Sequence, residues 1–262
     1  MTMENGCAVT PVRVLIINPN TSSRITTLLG THARAFVGTE GVIRAVTARF
    51  GAPYIACEAS YAVAGHATLD AWAAARAGEQ PAPDVILIGC FGDPGLLALR
   101  ESSQVPVTGL AEASFVEASG QGPFAIVTGG QRWKPMLERL AQTLGYSQVL
   151  AGIHTVTPSG AQLAENPVAA RALLINACRE AASNFKAKTV ILGGAGLAGL
   201  AANIQGEVDV PLIDSVLAGT RHALVIAKQS EIQHPGRFDF SWLNVSPELA
   251  ALGRPGDQLF RS

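Results

Sequence analysis

Cysteine pairs at redox or metal spacing are missing from this sequence. The four cysteines stand at 7, 57, 90 and 178, with no C-x-x-C among them. The five histidines are scattered at 32, 66, 154, 222 and 234, and none lies at zinc spacing from a cysteine. A metal centre is therefore not expected. Charge of one sign is also missing: 19 Lys and Arg face 20 Asp and Glu, and charged residues make up 15% of 262. Neither a nucleic-acid footprint nor a basic membrane patch is expected from that balance. Aromatic residues are 6%, too few for a base-stacking or sugar-stacking platform. The most apolar window, 189–205, is full of glycine and broken by Asn203 and Gln205, so it does not read as a membrane span. Residues 1–13 hold Glu4 and no apolar run, so a signal peptide is not expected, and a reducing cytoplasm is the expected location. A P-loop motif does not occur.

What remains is an apolar chain, 48% hydrophobic with 27 glycines, long enough for a substantial core. Val12–Ile17, Asp84–Gly89, Phe124–Val127 and Thr189–Gly193 are short β-branched runs that read as buried parallel strands. Weaker strands are expected at 41–47, 105–109 and 210–214. Helical stretches are expected at 23–35, 59–77, 96–101, 133–144, 167–187 and 215–228. Strands alternate with helices throughout, which predicts an α/β fold with parallel sheets.

The pattern also repeats. A strand ending in Asn18 precedes a strand ending in the Cys90 loop by 72 residues; a strand ending in Thr128 precedes one ending in the Gly194 loop by 66. This predicts two lobes of one architecture, 12–116 with 208–228 and 117–207, facing each other across a cleft. Ligands of open α/β sheets sit beyond the carboxyl ends of the strands, where both pairs of turns lie. Residues 229–262, with Phe238, Phe240, Trp242 and Phe260, stand outside the repeat and are expected to pack on the body or on a second subunit.

Cys90 sits on a strand-to-helix turn among glycines. Backbone N–H groups and a helix N-terminus there favour an anion and would lower the thiol's pKa toward neutrality. The competing reading is a packed core cysteine. Cys178 reads as packed in mid-helix, and His66 and Asp214 as surface or capping residues. Gly194-Ala-Gly196-Leu-Ala-Gly199 spells the dinucleotide fingerprint. The helix that can follow it before Val210 is too short for a crossover, so dinucleotide binding is not expected.

Together, Ile17-Asn-Pro-Asn-Thr-Ser22, Gly89-Cys-Phe-Gly-Asp-Pro-Gly95 and Leu192-Gly-Gly-Ala-Gly196 resemble the Asp/Glu/hydantoin racemase superfamily, in its hydantoin and allantoin racemase branch, over residues 12–228. The resemblance implies two Rossmann-like lobes related by a pseudo-twofold axis, with the active site in the cleft between them. It implies cofactor-independent proton transfer at a carbon next to a carbonyl, and assembly into dimers or tetramers. In that family each lobe supplies one catalytic cysteine. Cys90 matches the first, while Gly194 stands where the second belongs. Enolate donors would be the backbone N–H groups of Phe91, Gly92, Ala195 and Gly196, helped by Asn18, Thr21, Ser22 and Thr128. Asn18 and Thr128 would contact the substrate's carbonyl or carboxylate; for Asn18 and Ser22 plain turn and cap duty is the alternative. The segment Pro53-Tyr-Ile-Ala-Cys57 would approach the site and bring Cys57 to the pocket.

Three functions fit these residues. The first is a racemase or epimerase in which water or another side chain replaces the second thiol. The second uses Cys90 alone, in a decarboxylase of the arylmalonate type, a tautomerase or a cis–trans isomerase. The third is a binding protein that has lost catalysis, which the intact Cys90 loop argues against. The first is preferred, with a small acid or cyclic imide as substrate.

Overall fold

The computed structural model describes residues 10–157, 160–229 and 242–252. Its first half runs β1 (Val12–Asn18), α1 (Ser23–Val37), β2 (Gly41–Thr47), α2 (Glu58–Ala77), β3 (Val85–Ile88), α3 (Leu96–Ser102), β4 (Val107–Gly109) and α4 (Leu110–Ser119). The second runs β5 (Phe124–Gly129), α5 (Trp133–Thr143), β6 (Leu150–Val156), α6 (Gly160–Glu165), α7 (Pro167–Asn184), β7 (Thr189–Gly193), α8 (Leu200–Ile204), β8 (Leu212–Asp214) and α9 (Ser215–Gln229). A short α10 (Pro247–Leu252) follows.

The strands form two four-stranded sheets, ordered β2-β1-β3-β4 and β6-β5-β7-β8, with every pairing parallel. One strand order is thus used twice, as the sequence echo predicts. Val14–Ile17 and Val85–Ile88 are at most 1% exposed, because helices cover both faces of the first sheet's centre. Each such side chain contributes about 1.5–3 kcal/mol by leaving water. In each sheet the third strand crosses to the other side of the first. The turns after β1 and β3, and after β5 and β7, therefore border a topological switch point, where a crevice opens.

The helix that closes each half lies against the other half. α4 follows β4 yet contacts β7 and β8, while α9 follows β8 yet contacts β1, β3 and β4. The two helices also pack on each other. The sequence grouping assigned 208–228 wholly to the first lobe. Within that span β8 is hydrogen-bonded to β7 in the second sheet, and α9 lies on the first. The second sheet needs β8 as its fourth strand, so the chain crosses over only after it.

Three further elements escaped the sequence reading. β6 is an edge strand, mostly half-buried and broken by Gly152 and His154, so it lacks the continuous apolar run that marks β5 and β7. α4 follows β4 without a turn signal, its N-terminus held by a distant carboxylate described below. α6 is a single short segment before the long α7. Of the C-terminal tail, 242–252 lies on α2, where Arg49 bonds both the buried Asp70 and Glu248. Phe238, Phe240 and Phe260 lie outside the described residues, as does Cys7. Among the described residues, no helix is long and apolar enough to cross a membrane.

Candidate active site

A cavity opens between the carboxyl edges of the two sheets. The first half lines it with Asn20, Ile25, Tyr54, Ile55, Gly89, Cys90 and Phe91, and the second with Thr128, Gly129, Trp133 and the run Gly193–Gly196. The predicted Cys90, Phe91, Thr128, Gly194, Ala195 and Gly196 are thereby brought together. Among the described lining residues none is Lys, Arg, His, Asp or Glu. Nor do three His, Cys, Asp or Glu side chains gather anywhere among the described residues as metal ligands would.

The turn after β1 is organised from below. The Asn18 amide donates to Asn20 Oδ1 at 2.9 Å, to the Ser22 carbonyl at 3.0 Å and to Thr26 Oγ1 at 3.0 Å. Asn18 is fully buried and is absent from the cavity wall; Asn20 takes the place there that the sequence reading gave to Asn18. Ser22 caps α1, its hydroxyl accepting from the Ile25 amide at 3.4 Å, and such a cap is worth about 1 kcal/mol. Thr21 bonds the Ala52 carbonyl through its amide. Thr21 and Ser22 therefore shape the turn without lining the cavity.

The turn after β3 carries Cys90 to the cavity edge. Gly92 is a second departure from expectation. It is absent from the cavity wall, and its carbonyl accepts from Tyr61 Oη at 2.8 Å, so it serves the turn. Asp93, at φ 51°, points inward and caps α4, its two oxygens accepting from the Ala111 and Glu112 amides at 3.0 and 2.8 Å. Burial pushes the Asp93 carboxyl up to about 7 against the pull of those amides.

Cys90 is 7% exposed, and burial, followed by repulsion from Asp93, pushes its thiol up. This reverses the expectation of a thiol lowered toward neutrality. The amides that should have favoured a thiolate are engaged elsewhere: Asp93 N–H bonds the Cys90 carbonyl and Leu96 N–H the Asp93 carbonyl. The nearby walls are the apolar Ile25, Ile55 and Phe91. Cys178 is buried in the second core, and Cys57 caps α2 with its thiol lowered by the Ser60 hydroxyl. His66 packs edge-on against Phe50, away from the cavity wall, and Asp214 caps α9 through the Val216 and Leu217 amides.

On the facing edge, Thr128 Oγ1 donates to the Gly193 carbonyl at 2.7 Å and leaves its oxygen lone pairs for the cavity. Gly194 has φ 149°, a conformation that residues with a β-carbon rarely adopt, and its amide donates to Ser215 Oγ at 3.2 Å. The glycines of the fingerprint-like run thus line a cavity and enter a 3₁₀ turn, Ala195–Leu197; α8 beyond them is five residues long.

Trp133 was not foreseen, and of the segment 53–57 expected to approach the pocket, Tyr54 and Ile55 line the cavity while Cys57 does not. Tyr54 Oη donates to the Gly129 carbonyl at 3.2 Å and accepts from Trp133 Nε1 at 3.3 Å. Tyr54 and Ile55 reach the cavity from the loop between β2 and α2.

Comparison with known proteins agrees with this geometry. The family model for Asp/Glu/Hydantoin racemase matches residues 14–223. A hydantoin racemase of Paenarthrobacter aurescens is 35% identical over 217 residues, covering 81% of this chain and 89% of that protein. The crystal structure of an allantoin racemase from Pseudomonas fluorescens superposes with a TM-score of 0.78 at 29% identity, over 83% of this chain and 92% of the other. An allantoin racemase from Klebsiella pneumoniae gives 0.77 at 33% identity, over 83% and 88%. The chain belongs to the Asp/Glu/hydantoin racemase family, a family of isomerases.

Proposed function

We propose that this enzyme racemises a small cyclic imide of the hydantoin class by proton transfer at the carbon beside a carbonyl, with Cys90 as the proton-transferring thiol on one face. The observation that carries the reading is one cavity walled by the Cys90 turn of the first sheet and the Gly193–Gly196 turn of the second. A thiolate at Cys90 removes the proton; the enolate oxygen meets the backbone N–H groups of Phe91, Ala195 and Gly196. Asn20 and Thr128 orient the ring through its carbonyl and N–H groups. On this reading Gly194 stands where the resemblance places a second thiol, which leaves the opposite face without a cysteine.

The lining selects among substrates. A free amino acid or a substituted malonate brings one or two carboxylates, and no cationic side chain among the described lining residues would compensate their burial. A hydantoin ring is neutral near pH 7 and offers carbonyl and N–H groups of the kind this wall can pair. The three described thiols are free, as a reducing compartment would keep them.

The test is solvent deuterium exchange with separated enantiomers of 5-benzylhydantoin and allantoin, alongside aspartate, glutamate and phenylmalonate. Exchange with inversion on the cyclic imides alone supports the proposal. Carbon dioxide release from phenylmalonate, or turnover of the free amino acids alone, overturns it.

A further inference from the structure

With glycine at position 194, one face of the substrate carbon has no sulfur. Among the described lining residues few other groups carry a proton that could be given up. Asn20, Thr128 and the Trp133 indole hold their protons far too tightly to reprotonate a carbanion. Tyr54 is different: a phenol ordinarily titrates near 10, within a few units of a thiol.

Its position is set from both sides. Tyr54 leaves the first half on the loop before α2, yet its hydroxyl rests on the second sheet, donating to the Gly129 carbonyl at 3.2 Å. Thr128, next to Gly129, pairs in register with Gly193, so this hydroxyl stands at the edge that carries Gly194. Trp133 measures the gap between the two groups. Its Nε1 donates to Tyr54 Oη at 3.3 Å. Its far edge abuts the Cys90 turn, where a β-carbon on Gly92 would stand 2.4 Å from Trp133 Cζ3. The Gly92 end of the Cys90 turn and the Tyr54 hydroxyl therefore lie at opposite edges of one indole, and Cys90 and Tyr54 both line the cavity.

We infer that the Tyr54 hydroxyl is the second catalytic group, exchanging a proton with the substrate carbon on the face opposite Cys90. This inference rests on the reading of Cys90 as the thiol base. In one direction the Cys90 thiolate takes the C–H proton and becomes a thiol, leaving an enolate. Tyr54 O–H, turning from the Gly129 carbonyl, then delivers its proton to the other face, giving the opposite enantiomer and a phenolate. The thiol proton passes through water to the phenolate, which restores the starting state. The reverse direction begins from the same singly ionised pair, with the phenolate as base and the thiol as acid. The Trp133 N–H, already aimed at the phenol oxygen, stabilises the phenolate as charge develops there. A general acid of this kind is worth about 10²–10⁴-fold in rate.

The test follows hydrogen exchange and inversion separately, using each enantiomer of 5-benzylhydantoin in deuterium oxide with the folded full chain. Tyr54→Phe should lower inversion at least about 100-fold. It should leave exchange with retention for the enantiomer whose hydrogen faces Cys90. Cys90→Ser should abolish both. If Tyr54→Phe inverts within threefold of the parent while Cys90→Ser is dead, Tyr54 is not the acid and the thiol reading stands. If Cys90→Ser inverts normally, the thiol reading itself falls and takes this inference with it. Should Tyr54→Phe fail to fold, the three tyrosines can be replaced biosynthetically with 3,5-difluorotyrosine, a more acidic phenol. The alkaline limb of the inversion rate should then move to lower pH, and an unmoved limb overturns the proposal.

Discussion

The ring of Phe91 occupies the space that a β-carbon on Gly193 would need: such an atom would stand 2.3 Å from Phe91 Cε1. A side chain from the first sheet's turn is thus seated on bare backbone of the second sheet's last strand residue. Gly193→Ala should cost about 1–3 kcal/mol by overpacking, read as a lower urea midpoint, and should displace the Cys90 turn. Phe91→Ala in that background should recover part of the loss. A Gly193→Ala protein of parental stability would refute the contact.

Gly194→Cys tests the empty face directly. Space is available, since a β-carbon there would meet Leu197 Cγ at 3.5 Å, an ordinary contact. The backbone is the obstacle: φ 149° is strained for any residue with a β-carbon, at about 1–3 kcal/mol. The variant should melt lower than the parent, carry one more titratable thiol and racemise faster. A folded, ligand-binding variant with no gain in inversion would mean that position 194 does not face the substrate carbon.

Alkylation should distinguish the thiols by environment. The Ser60 hydroxyl lowers the half-buried Cys57, while burial and Asp93 raise Cys90. Peptide mapping after iodoacetamide should find Cys57 modified first near pH 7. Cys90 labelling should climb about tenfold per pH unit while the thiolate remains the minor form. Asp93→Asn removes the neighbouring negative charge and should speed Cys90 labelling severalfold at pH 8. If Cys90 labels as fast as Cys57 at neutral pH, the buried, repelled thiol described above is wrong.

Asp93 should also leave a mark on stability. Its carboxyl titrates at about 7 when folded, against about 3.9 in an unfolded chain. Between those values the folded state holds a proton that the unfolded state releases. Stability from this group is therefore complete below about pH 4 and is lost as pH rises toward 7, with a limiting slope of about 1.4 kcal/mol per unit. Asp93→Asn should flatten that decline in urea titrations from pH 4.5 to 7.5. Parallel curves for the two proteins would remove Asp93 as its source.

The strands at the centres of both sheets could be read from the chain directly. Residues 14–17, 85–88 and 189–193 are β-branched runs buried on both faces, so composition alone identifies them. Edge strand β6 could not, because only Ile153 and Val156 of its seven residues are buried and Gly152 and His154 break any apolar run. α4 was missed for a related reason: its N-terminal amides are satisfied by Asp93, eighteen and nineteen residues away, so no local capping residue announces the helix.

The local sequence was enough to determine the parallel α/β class, the doubled pattern and the presence of Cys90 and Gly194 at equivalent strand ends, since each depends on residues adjacent along the chain. Tertiary structure alone decided the rest. It used the Asn18 amide within the turn and left Asn20 on the wall, tied the Gly92 carbonyl to Tyr61, and raised rather than lowered the Cys90 thiol. It also brought Tyr54 across to Gly129. Hydrogen-bond partners, burial and charge proximity arise between segments far apart in sequence, and their strengths depend on distance and solvent exclusion, neither of which a linear order of residues contains.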